Sequence, residues 1–284
     1  MSAKQWDRVV TGLLWGAGLL IIGVLAVFLG YILIKGLPVL SASFVFGPSS
    51  DVSAGGGVGA QLFNTFYILF LSLIVAAPVA VGAGVYLAEY SARGRLADVI
   101  RLSVECLASV PSIVLGLFGM ILFINLMGFG ISLGVGAMTL ALMNLPIIVR
   151  VTEEALKTVP REYREASLAL GATKWQTIAR VVLPAALPGI VTGVTLTAGR
   201  AVGETAILIF TAGTTASRMI PDFSLSAGGE TLAVHMWYVM AIGLVPDRVD
   251  IANGTGALLI LVILTFNLIL ASGTKHLRKW LTGM

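Results

Sequence analysis

Charged residues interrupt this chain so rarely that long apolar runs, each bounded by charge, set its pattern. The first extends from Val9 to Ile34 between Arg8 and Lys35, and a second from Leu62 to Ala88. A third, from Cys106 to Val149, is long enough for two helices with a polar break near Asn125 to Gly130, where Asn and Gly cluster. Apolar residues resume at Val181 and run to about Ala212, and the last run covers Gly254 to Ser272. Runs of about 20 apolar residues match the hydrocarbon thickness of a bilayer, so the pattern predicts an all-α integral membrane bundle of six transmembrane helices. Leu232 to Val245 is apolar apart from His235 but too short to cross, and reads as interfacial or re-entrant. The predicted organisation is a first span at 9–34, an external loop at 35–61 and spans two to four at 62–149. A cytoplasmic loop at 150–182, a fifth span at 183–212, an external loop at 213–253 and a sixth span with a basic tail at 254–284 complete it.

Composition agrees with the pattern: 57% of the residues are hydrophobic and only 11% charged, where a soluble domain carries about 25% charge. The net charge of +4 would suit a nucleic-acid binder, but the basic residues are sorted by membrane side. With six spans, fourteen of the eighteen Lys and Arg share the side of both termini, which makes both termini cytoplasmic and leaves nucleic acid unnecessary. The first run is too long for a signal-peptide core and has no small-residue cleavage site after it, so it reads as a retained anchor. Cys106 is the single cysteine and can form no internal disulfide. The chain has no G-x-x-x-x-G-K-[S/T] loop, so any ATP and Mg²⁺ must be handled by partner subunits, and no cofactor or metal of its own is expected. His235 and His276 fall on opposite sides, which disfavours zinc and His-based nucleophilic catalysis. Gly55, Gly57 and Gly59 suggest a flexible external loop; Gly12/Gly16, Gly189/Gly193 and Gly199/Gly203 are pairs that permit close helix packing.

The segment Arg161 to Pro184 is polar enough to be soluble: REYREASLALGATKWQTIARVVLP. It predicts a helix with apolar Ala166, Leu168, Ala169 and Leu170, a stop at Gly171, a restart capped by Thr173, and a second short helix ended by Pro184. A DNA-binding helix-turn-helix has a similar outline. This pair, however, is tethered by a span at each end and too short to form its own core, so docking into a cytoplasmic partner is its natural use.

The same segment resembles the signature loop of ABC-importer permeases: Glu-Ala-Ala, three residues, Gly, nine residues, then Ile-x-Leu-Pro. Here it reads Glu165-Ala166-Ser167, Gly171, and Val181-Val182-Leu183-Pro184, with Ser and Val as mild departures. Leu145 to Arg150 followed by Thr152-Glu153-Glu154, Val110 to Ile113 with Gly116 to Gly119, and Gly199 to Ala206 resemble the phosphate-specific permeases of the PstA type within that family. The resemblance implies a type I importer permease that forms a heterodimer with a homologous permease. It also implies ATPase subunits docked at the cytoplasmic loop, a binding protein delivering phosphate from outside, and an inner-membrane location. It assigns coupling to Glu165, Ala166, Gly171, Leu183 and Pro184.

Arg200 is the residue whose placement is hardest to reconcile with lipid. In a continuous helix from Ile190 to Ile209 it falls at the middle, some 15 Å from either end at about 1.5 Å per residue. A mid-span charge is costly by about 3 kcal/mol and should face water or a partner. Glu204, four residues on, would share its face, either neutralising it or tuning it within an anion path. A guanidinium fork suits phosphate oxygens and stays charged. Arg150 is expected at a cytoplasmic helix end anyway, and the resemblance implies a second role in translocation. The resulting expectation is import of inorganic phosphate by alternating access, with another oxyanion (sulfate, molybdate or a phosphonate) as the rival substrate. A secondary carrier would need a second copy of the Arg200 motif, and a channel would need rings of basic residues.

Overall fold

In the computed structural model, which describes residues 3–50, 53–91, 94–215 and 221–282, every regular element is helical. Five helices are long and apolar enough to cross a membrane, and one sharply bent pair of helices meets the same test of length and composition together. Helix α1 (Ala3–Gly36) lies outside the bundle, its apolar stretch wholly uncovered. It touches the rest at its end, where Gly36 is backed by Asn253 and Ala257, leaving no room for a side chain. A short helix α2 (Ala42–Phe46), capped by the Ser41 hydroxyl accepting from Phe44 N at 3.1 Å, leads into α3 (Gly59–Val85), which continues through a π-turn at Tyr86–Tyr90.

Helices α3 and α6 (Leu133–Thr158) form the centre of the bundle. Bilayer lipid is as apolar as leucine, so helices associate through close packing, and small residues set the approach. Gly84 allows this: a Cβ there would sit 2.6 Å from Thr152 Cβ and 2.9 Å from the Val149 carbonyl oxygen. Ile68, Leu69, Leu133, Leu140 and Met143 then join Ala198, Val202, Ile207 and Leu208 in the main core. Helix α9 (Leu183–Val202) crosses α6 where Gly189 meets Ala155 and Gly193 meets Val151. Gly199 faces Asn267 of α12 (Arg248–Thr282). Gly12 and Gly16, by contrast, have nothing near them.

Four sequence expectations are corrected. Where the apolar pattern predicts a third straight span, the structure has a bent pair, α4 (Arg95–Ser109) and α5 (Ser112–Gly119, extended by a π-turn at Met120–Leu126), meeting at 103°. Pro111 causes the bend: it holds Val110 in an extended conformation and opens α5 afresh. Helix α4 carries Arg95, Asp98, Arg101 and Glu105 and exposes Leu96, Val99 and Leu102. Secondly, the fifth span is broken: α9 stops at Val202 and a six-residue helix α10 (Ala206–Thr211) follows. Thirdly, Pro184 ends nothing. It sits in the first turn of α9, where its missing N–H is harmless, within a helical stretch running from Lys174 to Val202. Lastly, only exposed Gly55 fits a loose loop. Gly57 and Gly59 are buried, each donating a backbone hydrogen bond, to Pro48 O at 2.7 Å and Gly47 O at 3.0 Å, with no room for side chains.

Candidate translocation site and coupling loop

The loop between α6 and α9 folds as a helix, a turn and a helix. Helix α7 (Arg161–Ala169) ends at Gly171, whose φ of +83° is the left-handed conformation that favours glycine. Thr173 then caps α8 (Lys174–Thr177) in a reciprocal box: its hydroxyl accepts from Gln176 N, and Gln176 Oε1 accepts from Thr173 N at 2.8 Å. None of the α7 residues is buried. Ala166, Leu168 and Ala169 are exposed, and Leu170, at the turn, is 89% exposed. Tyr163 and Trp175 are exposed beside them. The apolar face of this otherwise charged loop is anchored but uncovered, the kind of patch that marks interaction sites. Glu165 is exposed on this helix as well, whereas Leu183 and Pro184 begin α9.

Ion pairs tie this end of the bundle together and one of them holds the loop to it; sequence reading missed most of them because the partners lie 52 and 75 residues apart. Glu153, largely buried on α6, accepts from Arg101 Nη2 of α4 at 2.9 Å and from Lys157 Nζ at 2.6 Å. The Glu153–Lys157 half was legible as an i,i+4 pair. Arg164 of α7 pairs with Glu89 in the π-turn after α3. The same guanidinium donates to the Val159 and Leu156 carbonyls at the end of α6, at 2.8 and 2.9 Å. Lys174 also lies 4.5 Å above the Tyr90 ring.

Arg200 and Glu204 do not share a helical face, because the helix ends between them. Arg200 occupies the last turn of α9, exposed, and forms no ion pair with Glu204 or any other described carboxylate. Its charge sits at the negative end of the α9 dipole. Glu204 lies in the unwound link, where Oε1 accepts from Ile207 N at 3.4 Å and so faces the positive start of α10. Unwound backbone within a membrane requires water or protein around it, and Gly203, at the centre of the break, is exposed. The break therefore faces an aqueous path or a neighbouring subunit. Arg150 is not at this point. It is 72% exposed on α6, pairs with Glu154 at 3.2 Å, and lies level with Gly193, about 10 Å along α9 from Arg200 at 1.5 Å per residue.

A second polar cluster, at the start of α3, escaped sequence reading. Glu230 Oε1 accepts from His235 Nδ1 at 2.7 Å and from Gln61 Nε2 at 2.8 Å. Asn64 Nδ2 donates to the Glu230 carbonyl at 3.1 Å, and Leu232 N donates to Thr65 Oγ1 at 3.0 Å. All these side chains are buried, and together they pin the head of α11 (Leu232–Ala241) to α3. The available signal was Gln61, Asn64 and Thr65 at helical spacing in an apolar run, facing the one polar residue, His235, of another.

Residues 80–283 match the family of binding-protein-dependent transport system inner membrane components. The chain belongs to this family. It is 43% identical over 278 residues to the probable ABC transporter permease protein YqgI of Bacillus subtilis (strain 168), an alignment spanning 94% of this chain and 95% of that one. It is 38% identical over 217 residues to the phosphate transport system permease protein PstA 1 of Mycobacterium tuberculosis (strain CDC 1551 / Oshkosh), covering 76% and 69% of the two chains. Among solved structures, the inward-facing MetNI methionine ABC transporter aligns with TM-score 0.61 at 26% identity, over 78% of this chain and 94% of that one. A bacterial ABC transporter that imports alginate aligns with TM-score 0.66 over 96% and 99%, at 14% identity, so its likeness is one of fold. The protein is thus an inner-membrane permease with the ABC-importer fold.

Proposed function

We propose that this permease imports inorganic phosphate by alternating access. It would work as a heterodimer with a homologous permease, with both termini cytoplasmic, two ATPase subunits on the cytoplasmic side, one of them docked on α7, and an external binding protein delivering the anion. Arg200 is the observation that carries the substrate reading: a permanent cation at a helix break inside a span, free of described carboxylates, next to exposed unwound backbone. Its fork can hold two phosphate oxygens, and the absence of a bound carboxylate leaves that fork open to an anion. Glu204, held at the start of α10, would set the local charge balance and accept a proton from a protonated phosphate. Arg150, nearer the docking end, supplies a second cation along the route. The names of the phosphate-transport relatives support the same substrate over sulfate, molybdate or a phosphonate.

The exposed apolar face around Leu168 and Leu170 supports docking of an ATPase subunit, which would bind ATP and Mg²⁺ and drive the cycle. Arg200→Gln tests the site: it should abolish phosphate uptake while the complex still assembles. Normal uptake by that variant would end the proposed role of Arg200.

A further inference from the structure

We propose that Arg164 is the positioning residue that carries movement of the docked loop into the membrane bundle, through Glu89; this rests on the docking of an ATPase subunit on α7 proposed above. Helix α7 buries none of its residues against the bundle, so its outer face is left for a partner and its inner connection is made by few groups. Arg164 is the most connected of them. Its Nε and Nη2 hold Glu89, while Nη1 and Nη2 hold the Val159 and Leu156 carbonyls. One planar guanidinium therefore ties α7 to α3 and α6 together. The side chains of Arg164 and Glu89 are only 22% and 9% exposed, so the pair is shielded from solvent more than an ordinary surface bridge is. A fork of five donors is needed for this, which lysine cannot provide.

The position of Glu89 matters as much as its charge. It lies in the π-turn Tyr86–Tyr90 that follows α3, where the hydrogen-bond register is already altered. Lys174 of α8 rests on Tyr90 of the same turn, so both short helices of the loop reach α3 there. Helices α3 and α6 are locked together at Gly84 and Thr152, and both contribute to the core that contains Ile207 and Leu208 of α10. A displacement of α7 thus reaches the break at Arg200 by way of Arg164, the α3–α6 pair and α10.

The test is a double-mutant cycle on the complete transporter in proteoliposomes, with Glu89→Gln, Arg164→Gln and both together. The readout is ATP hydrolysed per phosphate imported, with co-purification of the ATPase subunits measured in parallel. Each single variant should raise the ratio by about tenfold, a typical coupling free energy, and the double variant should be no worse than either single. ATPase subunits should co-purify in wild-type amounts, and Arg164→Lys should recover part of the coupling by retaining the charge. Glu89→Gln fills the same volume, so it guards against a fold defect. An unchanged ratio in both single variants, or losses that multiply in the double, would overturn the proposal. Loss of ATPase co-purification in Arg164→Gln would overturn it too, by making Arg164 part of the docking surface. If the wild-type chain itself fails to retain the ATPase subunits, the docking reading fails first, and independently of Arg164.

Discussion

Removing the Glu230 carboxylate should loosen the end of the bundle where α11 meets α3. Glu230 is 1% exposed, and its Oε1 is the shared acceptor for His235 Nδ1 at 2.7 Å and Gln61 Nε2 at 2.8 Å. Glu230→Ala strands both donors where water does not reach, at about 1–3 kcal/mol each, and leaves a small cavity, for a total near 4 kcal/mol. Glu230→Gln keeps an oxygen at the same place, with room for both donors, and should cost about 1 kcal/mol. The Asn64 bond to the Glu230 carbonyl survives both changes because it is made to the backbone. Thermal unfolding of the purified complex gives the ranking, and hydrogen exchange in Leu232–Ala241 localises it. The alanine variant should unfold at clearly lower temperature, with α11 amides exchanging faster, and the glutamine variant should fall close to wild type. An alanine variant within about 1 kcal/mol of wild type, or a glutamine variant as unstable as the alanine one, would refute the shared-acceptor reasoning.

Two further substitutions probe the packing and the loop. Gly84→Val should force α3 and α6 apart, since even a Cβ meets Thr152 at 2.6 Å and the Val149 carbonyl at 2.9 Å; a loss of about 3 kcal/mol or failure to assemble is expected, and a monodisperse complex of wild-type stability on size exclusion would contradict it. A Cβ at Gly171 meets no neighbour within 4 Å, so the effect of Gly171→Ile comes chiefly from a β-branched residue at φ +83°, about 1–2 kcal/mol of local strain. It should disconnect ATP hydrolysis from uptake without unfolding the spans, and unchanged stimulation of the ATPase by loaded binding protein would count against the loop's role.

Runs of apolar residues made the bundle legible, because a bilayer demands length and hydrophobicity that few other contexts need. What they concealed were interruptions. The 103° bend needs only Pro111 within an apolar stretch, and the break after Val202 lies where Arg200, Gly203 and Glu204 interrupt an apolar run without marking where its helix ends. Composition cannot distinguish a mid-span Arg in a continuous helix from one at a helix end, so the sequence marks Arg200 as an uncommon charge but does not show that the helix ends before Glu204. The loop turn was readable because Gly171 and Thr173 act locally, through a left-handed φ and a capping hydroxyl. Arg164–Glu89 and Glu230–Gln61 were not readable, since partners 75 and 169 residues apart leave no mark at fixed spacing.

Radiolabelled phosphate uptake, in cells holding the complete transporter with this chain intact or deleted and all other phosphate routes removed, tests the phosphate assignment most directly. Excess sulfate serves as competitor. The account predicts that uptake is lost on deletion and is indifferent to sulfate. Undiminished uptake without the chain, or uptake abolished by sulfate, would contradict it.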